Sequence, residues 1–423
     1  MPGLRITKNS GYFKENHTFI FLVVFCILSP LTIAGSHLAL TLVTLSWSYN
    51  IFSGKKDYYG RNPVDLPLIV FAGIAVLSVL FSIDAKFSIR GLKGLLLILL
   101  YFVTANSVKS VKQVKTLLTA LVASSAAASC YGIYQFFSRN DLLGSNVFLH
   151  GKLLPRASGL SATPMTYGEY MSMVLVVSAG LLMFYLTHEK GRKYSNRVFF
   201  LIASALAGSA LYFSFTRAAL IGGTAGVLLL LFLKNRKYFI AGVLVVTLTA
   251  GIVLGVFPDG NMSVRIKDML NPQGRTIPAR LLVWKSSINM FKDRPLTGVG
   301  WECYRKAYPA YMIKKEGVHW VNFRKRVFSH AHSNFLNIAA ETGIFGLAAF
   351  LWVLISIVIS SANIYRNTRD KMLKTTALSC LAVFLVFFIS GVTEYNFGDS
   401  EVAMLFYFLL GITFAIPRIE TIL

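Results

Sequence analysis

Two histidines that could transfer a proton, His330 and His332, stand at the end of a polar stretch and directly before an apolar segment. A neutral imidazole can accept a proton near pH 7, which makes each ring a candidate general base. Ser333 and Asn334 favour the start of a helix, and the positive end of its dipole disfavours an imidazolium beside it. The alternative is that His332 only caps the helix or hydrogen-bonds the loop. Because the histidines are two positions apart, we do not expect their rings to share a face.

The segment that follows the histidines predicts a short helix with a marked end. Residues 334–342 would make about two and a half turns at roughly 3.6 residues per turn. Gly343 then offers a left-handed stop, and Gly346 follows it three positions later. The sequence therefore places His332 at the start of an apolar helix.

Two arginines are candidates for binding phosphate. Arg217 stands between two apolar runs with no room for a loop, where a charge is costly unless it has a partner. Arg280 begins an amphipathic pattern that contains Trp284 and leads to Pro295-Leu-Thr-Gly-Val-Gly300. A guanidinium suits phosphate because its planar fork makes two charge-assisted bonds and stays protonated. The alternatives are a snorkelling topology residue for Arg217 and a helix on anionic headgroups for the Arg280 segment.

Two carboxylates also lie in or at the end of apolar runs, Glu169 and Glu394. Either could pair with Arg217 or orient His332, and a structural ion pair fits equally well. The sequence does not choose among these roles.

The hydropathy of the chain predicts that membrane spans hold these groups in place. The chain has 423 residues, 55% of them hydrophobic, with a mean hydropathy of +0.60. About twelve apolar stretches approach the ~20 residues needed to cross ~30 Å of hydrocarbon. Because the backbone must satisfy its own hydrogen bonds in lipid, we expect an all-α polytopic membrane protein. The net charge of +24 lies in loops, where it serves topology and anionic membrane lipids, so no nucleic-acid partner is expected.

Basic residues concentrate in alternate loops, which predicts the orientation of the chain. The positive-inside rule puts the N-terminus inside and one large, partly helical loop outside. The expected parts are transmembrane helices one to nine in 1–257, the large loop in 258–333, and helices ten to twelve in 334–423. Arg217 and His332 then share the extracytoplasmic side with that loop.

These motifs, taken together, resemble the O-antigen ligase and polymerase superfamily of integral membrane enzymes. The first is His332-Ser333, nine residues, then Gly343-x-x-Gly346; the second is Ser-x-Thr-Arg217-Ala. The third runs from Arg280 through Trp284 to Pro-Leu-x-Gly-x-Gly. The resemblance implies a catalytic role for His332, pyrophosphate binding by Arg217, Arg280 and Arg156, and supporting roles for His330, Ser333, Gly343, Gly346 and Trp284.

The resemblance also implies a function and a location. It implies transfer of an undecaprenyl pyrophosphate-linked O-antigen glycan onto a lipid A-core hydroxyl, at the periplasmic face of the bacterial inner membrane. The chain has no Asp-x-Asp metal clamp, and two arginines can replace one, so we expect no metal and no cofactor. One base without a carboxylate nucleophile favours inversion. The alternatives are an O-antigen polymerase, a protein O-oligosaccharyltransferase and, outside this class, a transporter of lipid-linked glycans, for which no internal repeat is seen.

Overall fold

The structure, a computed structural model, describes residues 17–53, 60–138, 147–149, 152–188, 194–256, 263, 276–312 and 328–422. The predicted large loop is therefore described at 276–312 and 328–333. Its other parts, 258–275 apart from Ser263 and 313–327, lie outside the described residues.

The described chain is almost entirely helical, which confirms the all-α prediction. The helices are α1 (His17–Leu28), α2 (Ile33–Phe52), α3 (Asp65–Ser78), α4 (Ala85–Gly91), α5 (Leu99–Ser107), α6 (Val111–Ser138), α7 (Pro164–His188), α8 (Tyr194–Ser214), α9 (Arg217–Lys234), α10 (Arg236–Val256), α11 (Thr276–Asp293), α12 (Tyr304–Tyr311), α13 (Asn334–Asn367), α14 (Lys371–Thr393) and α15 (Ser400–Ile422). Short 3-10 segments occupy Val79–Phe81, Leu92–Ile98 and Asn396–Gly398. Strands β1 (Val147–Leu149) and β2 (Lys152–Leu154) form one small antiparallel pair.

Among the described residues, eight helical segments are long and apolar enough to cross a membrane. They are Ala85–Ser107, which joins α4 and α5 through the 3-10 turn, and α6, α7, α8, α9, α13, α14 and α15. Two shorter apolar helical segments, His17–Leu28 and Asp65–Phe81, accompany them. The chain is therefore a multi-pass membrane protein, and the count of about twelve spans stays a prediction.

The centre of the bundle is formed by α7, α14 and α15. In the most apolar stretch of each, 67%, 72% and 89% of the residues are buried, against 33% for α8 and α9. Small residues let the helices approach closely, as a Cβ on Gly222 of α9 would lie 3.0 Å from the Val386 carbonyl of α14. This close approach brings the start of α9 next to the end of α14, where the Ser390 hydroxyl donates to the Ala218 carbonyl.

Candidate active site at the start of helix α13

The two histidines form a tight turn just before α13. His332 has a positive φ of 50°, an unusual conformation for a residue with a side chain. Its backbone N–H donates to His330 Nδ1 over 3.2 Å, and the two ring centroids are 4.4 Å apart. The expectation that the rings could not share a face is wrong, because the left-handed turn folds them together. Backbone strain of this kind is typical of functional sites.

His332 also contacts a carboxylate at the C-terminal end of α14, that of Glu394. Its Nδ1 lies 3.1 Å from Glu394 Oε2, and the exposed fractions of the two side chains are 19% and 9%. The other carboxylate oxygen of Glu394 accepts from Arg280 and forms an ion pair with it. Glu394 therefore joins a predicted base and a predicted phosphate-binding arginine through its two oxygens. Of the two carboxylates left open by the sequence, Glu394 is the one that hydrogen-bonds His332.

The electrostatics of this cluster favour an ionised Glu394. Burial by itself would raise the pKa of this carboxyl, but the hydrogen bond with His332 and the charge of Arg280 outweigh it, so its pKa lies below the ordinary value. Burial, and after it the charge of the neighbouring His332, lower the pKa of His330 from its ordinary value to about 4. His330 is therefore neutral at pH 7 and accepts the His332 N–H, whereas Glu394 is charged.

Two asparagines, here called the asparagine lock, connect the start of α13 to the segment that follows Glu394. Asn334, the first residue of α13, donates through Nδ2 to Asn396 Oδ1 over 2.6 Å and accepts from the Phe397 N–H over 3.1 Å. Asn396 in turn donates to the Phe387 carbonyl of α14 over 3.0 Å. Neither asparagine was predicted as a functional residue. Asn334 drew attention only as a helix-starting residue, because the pairing spans about sixty positions of sequence.

A set of backbone hydrogen bonds, here called the clasp, joins the segment after α11 to helix α13. Gly343 interrupts α13 with φ 68° and ψ −162°, after which the helix resumes. The break frees the carbonyls of Ala340 and Glu341, which accept from the N–H groups of Val299 and Gly300, each over 2.9 Å. The predicted left-handed glycine is thus present, but it kinks the helix rather than ending it.

The glycines of this clasp are required by close approach. A Cβ on Gly343 would lie 2.3 Å from the Leu296 carbonyl oxygen, and one on Gly298, with φ 66°, would lie 2.3 Å from the Glu341 carbonyl carbon. A Cβ on Gly346 would lie 1.8 Å from the Thr342 hydroxyl. The glycine motifs therefore hold the loop and α13 together, at the level of Glu341.

The predicted Arg217 begins α9 after a strained turn in which Phe215 has φ 49°. Arg156 braces this turn, since its Nε donates to the Ser214 carbonyl over 2.8 Å and its Nη2 to the Thr216 hydroxyl over 3.1 Å. Arg156 is only 8% exposed. These contacts give Arg156 a positioning role, and its binding of pyrophosphate stays a prediction.

The remaining predicted residues surround this cluster. Ser333 caps the start of α13 in an extended conformation, without a hydrogen bond from its side chain to the helix. Trp284 lies on α11, one turn after Arg280, and its indole N–H is buried without a partner among the described residues. Glu169 of α7 is buried within electrostatic range of Glu394, Asp399 and Arg280. The structure thus brings His332, His330 and Arg280 together with Glu394.

The fold and this polar cluster define a multi-pass membrane protein with paired histidine, carboxylate and arginine side chains at one end of its bundle. Residues 202–351 match the sequence profile of the family described as O-Antigen ligase. The matched segment contains Arg217, Arg280 and His332, while Glu394 lies beyond it. The resemblance to the O-antigen ligase superfamily inferred from the motifs is confirmed.

The chain is also similar to three rickettsial proteins provisionally named polysaccharide ligases. It is 26% identical to the one from Rickettsia conorii over 184 residues, 42% of each chain. It is 23% identical to the one from Rickettsia felis over 240 residues, 55% of this chain and 54% of the relative. The Rickettsia bellii protein is 26% identical over 156 residues, 34% of this chain and 36% of the relative. The chain thus spans about half or less of the length of the curated relatives it matches.

Proposed function

We propose that this protein is a glycosyltransferase of the O-antigen ligase type. It transfers a glycan from undecaprenyl pyrophosphate to a hydroxyl of lipid A-core, with inversion and without a metal ion. The observation that carries the proposal is the contact of Glu394 with both His332 and Arg280. The matched family segment and the similarity to polysaccharide ligases support the same class of reaction.

His332 is the proposed general base, and Glu394 sets its tautomer. Because Nδ1 lies against the carboxylate at 3.1 Å, the Nδ1 position carries the proton and donates it to Glu394. Nε2 is then left with a free lone pair to accept the proton of the acceptor hydroxyl. The charge of Glu394 also stabilises the imidazolium that forms, in the manner of a carboxylate–histidine pair.

The proposed reaction is a single displacement at the anomeric carbon. The acceptor O–H gives its proton to His332 Nε2 while its oxygen forms a bond to the anomeric carbon of the glycan. The bond from that carbon to the pyrophosphate oxygen breaks, and its electron pair stays on the leaving pyrophosphate. One displacement without a covalent intermediate inverts the anomeric configuration.

The negative charge that develops on the pyrophosphate is the proposed ligand of the two arginines. Arg280 uses one N–H on Glu394 and, at 28% side-chain exposure, has donors left for an oxyanion. Arg217 is the first residue of α9, so its guanidinium adds to the partial positive charge of a helix N-terminus. Preorganised cations of this kind stabilise a leaving anion without a metal.

In the proposed arrangement, residues 1–257 and 334–423 lie in the bacterial inner membrane and 258–333 form a periplasmic loop over the site. Both substrates are lipid-anchored, so they reach His332 from the membrane surface. A sheltered site also limits hydrolysis of the donor.

The direct test is to incubate the purified protein with an undecaprenyl pyrophosphate-linked glycan and each candidate acceptor, reading products on a gel. Glycan on lipid A-core supports the ligase. Glycan on a second lipid-linked repeat, or on a protein hydroxyl, would replace it with a polymerase or an oligosaccharyltransferase. A chelator should leave the rate unchanged, and loss of activity that added metal restores would refute the metal-independent step.

A single variant tests the base. His332→Ala should lower the transfer rate about 10²–10⁴-fold and leave donor affinity nearly unchanged, because a general base acts on the chemical step. His188→Ala, at the far end of α7, is the matched control and should transfer normally. Transfer by His332→Ala at the wild-type rate would refute the assignment.

A further inference from the structure

A crevice of about 740 Å³ opens between α2 and the 3-10 segment Leu92–Ile98. Its lining also includes the loop residues Trp301 and Glu302, and Tyr395. Tyr395 directly follows Glu394, and its ring centroid lies 5.6 Å from that of His330. The ring of Tyr395 therefore lines the crevice and also lies beside the histidine turn.

The wall of the crevice changes in character along its length. Apolar side chains form most of the lining, among them Leu40, Leu45, Leu95 and Leu96. Leu45 and Leu96 are exposed on the outside of the bundle, at 62% and 57%, so this part of the wall continues into the apolar surface. A chain of hydrocarbon fits such a wall by apolar burial.

The inner part of the crevice presents polar groups that lack partners. The hydroxyls of Thr44 and Tyr395 are buried, and neither has a hydrogen-bond partner among the described residues. A buried hydroxyl without a partner is unfavourable, so a ligand that supplies hydrogen bonds here would be favoured. Two hydroxyls at one end of an apolar crevice suit a sugar.

One cation and one carboxylate stand beside these hydroxyls. Lys93 and Glu302 both line the crevice. Burial raises the pKa of Glu302, and the charge of Lys93 opposes that shift. Glu302 has a positive φ of 60°, and a Cβ on Gly91 would lie 2.5 Å from Glu302 Cβ. A strained, non-glycine residue held against a cavity is a candidate ligand contact.

The loop that carries Glu302 is fastened to the opposite wall. The Trp301 indole N–H donates to the Gly91 carbonyl over 3.2 Å, and the Ser88 hydroxyl donates to the Trp301 carbonyl over 2.7 Å. The inner end of the crevice is therefore built by fixed contacts between α4 and the loop.

We infer that this crevice binds the acceptor, a phosphorylated and acylated glycolipid. Its acyl chains lie along the leucine wall, its sugar meets Thr44, Tyr395 and Glu302, and its phosphate pairs with Lys93. The inference rests on the proposed function, because it assigns one of the two lipid substrates of that reaction. The acceptor hydroxyl then approaches His332 from the side of Tyr395, and the donor pyrophosphate from the side of Arg280.

The charges favour the acceptor over the donor as the occupant. A pyrophosphate carries several negative charges and calls for more than one cation. The described lining of the crevice contains one lysine, Lys93, and no arginine, so it supplies a single permanent cation. One carboxyl group, hydroxyls and one ammonium instead match sugar hydroxyls and a single phosphate group.

Gly94 allows the crevice to be filled without disturbing the protein. It lines the crevice, and a Cβ added to it meets no atom within 4 Å. Gly94→Trp should raise the KM for lipid A-core at least tenfold while the dissociation constant of the pyrophosphate donor stays unchanged. Gly73→Trp is the matched control, since Gly73 is also open, lies on α3 and is not part of the crevice.

A second variant tests the phosphate contact. Lys93→Gln should weaken binding of lipid A-core about tenfold and leave binding of its dephosphorylated form unchanged, both measured with fluorescently labelled glycolipid in detergent. An unchanged acceptor KM in Gly94→Trp, or a loss of donor binding instead, would overturn the inference. If the wild type binds lipid A-core through this crevice but transfers nothing to it, the proposed reaction fails and the binding site stands.

Discussion

The two ends of the helical bundle use their charged side chains differently. At the end near Asp370, charges bind backbone groups: Asp370 accepts from two N–H groups at the start of α14, each over 2.9 Å. Glu420 accepts from the Asp370 N–H over 3.1 Å, and Arg418 donates to the Ala105 and Val108 carbonyls. At the end near His332, Glu394 instead binds two side chains, His332 and Arg280.

The difference separates a structural use of charge from a chemical one. A side chain that caps backbone groups is occupied and stabilises the helix ends. At the His332 end, one oxygen of Glu169 and one of Glu341 are buried without a partner among the described residues. Charged side chains that bind each other, rather than backbone groups, fit the active site proposed above. Substitutions at matched positions of the two ends test this contrast.

The largest effect among these substitutions is expected for Glu394→Gln. The amide keeps the shape but loses the charge that serves both His332 and Arg280. Two charge-assisted hydrogen bonds of about 1.5–3 kcal/mol each together predict a loss of about 10²–10⁴-fold in transfer rate. The control at the other end is Glu420→Gln, whose amide oxygen can still accept from the backbone. Equal transfer rates in Glu394→Gln and Glu420→Gln would contradict the proposed difference between the two ends of the bundle.

Arg280→Lys should lower the transfer rate about 10–100-fold, although the charge is kept. A lysine ammonium is a point charge and cannot bond Glu394 and hold a pyrophosphate oxygen in a bidentate fork. Arg217→Lys should behave similarly. Arg418→Lys is the matched control, because an ammonium can still donate to the Ala105 and Val108 carbonyls. Full activity in both Arg217→Lys and Arg280→Lys would reduce these arginines to topology residues.

Gly343→Ala should destabilise the protein by about 1–3 kcal/mol, because the new Cβ meets the Leu296 carbonyl and the backbone has a positive φ. The thermal unfolding midpoint in detergent measures the effect. Gly251→Ala is the control, since a Cβ there meets no atom within 4 Å. An unchanged midpoint in Gly343→Ala would show that the clasp contributes little stability.

The smallest predicted effect is a pH dependence of stability from His330. Its folded pKa is about 4, below the ordinary value of 6.5, so the unfolded chain binds the proton first as the pH falls. The free energy of unfolding should therefore decrease as the pH falls from about 6.5 to 4. His330→Asn, which cannot titrate, should lose less stability over that range. The Asn side chain can still accept the His332 N–H. Identical midpoint-against-pH curves for the two proteins would contradict a depressed pKa.

Sequence reasoning identified His332, Arg280 and the left-handed glycine because each has a local signal: spacing, an amphipathic pattern, or a helix stop. It could not choose between Glu169 and Glu394, since the choice depends on which helix ends meet. The asparagine lock between Asn334 and Asn396 was missed for the same reason. The close, edge-on contact of the His330 and His332 rings was missed because a positive φ at a histidine has no sequence signal.

In the proposed reaction, we expect His332 and Glu394 to act as a unit. A double-mutant cycle with His332→Ala, Glu394→Gln and the double variant measures it directly, using transfer rate under saturating donor and acceptor. Because residues that act together are not additive, the double variant should transfer about as slowly as His332→Ala alone. If the losses of the two single variants multiply in the double variant, Glu394 acts independently of His332 and the claim is wrong.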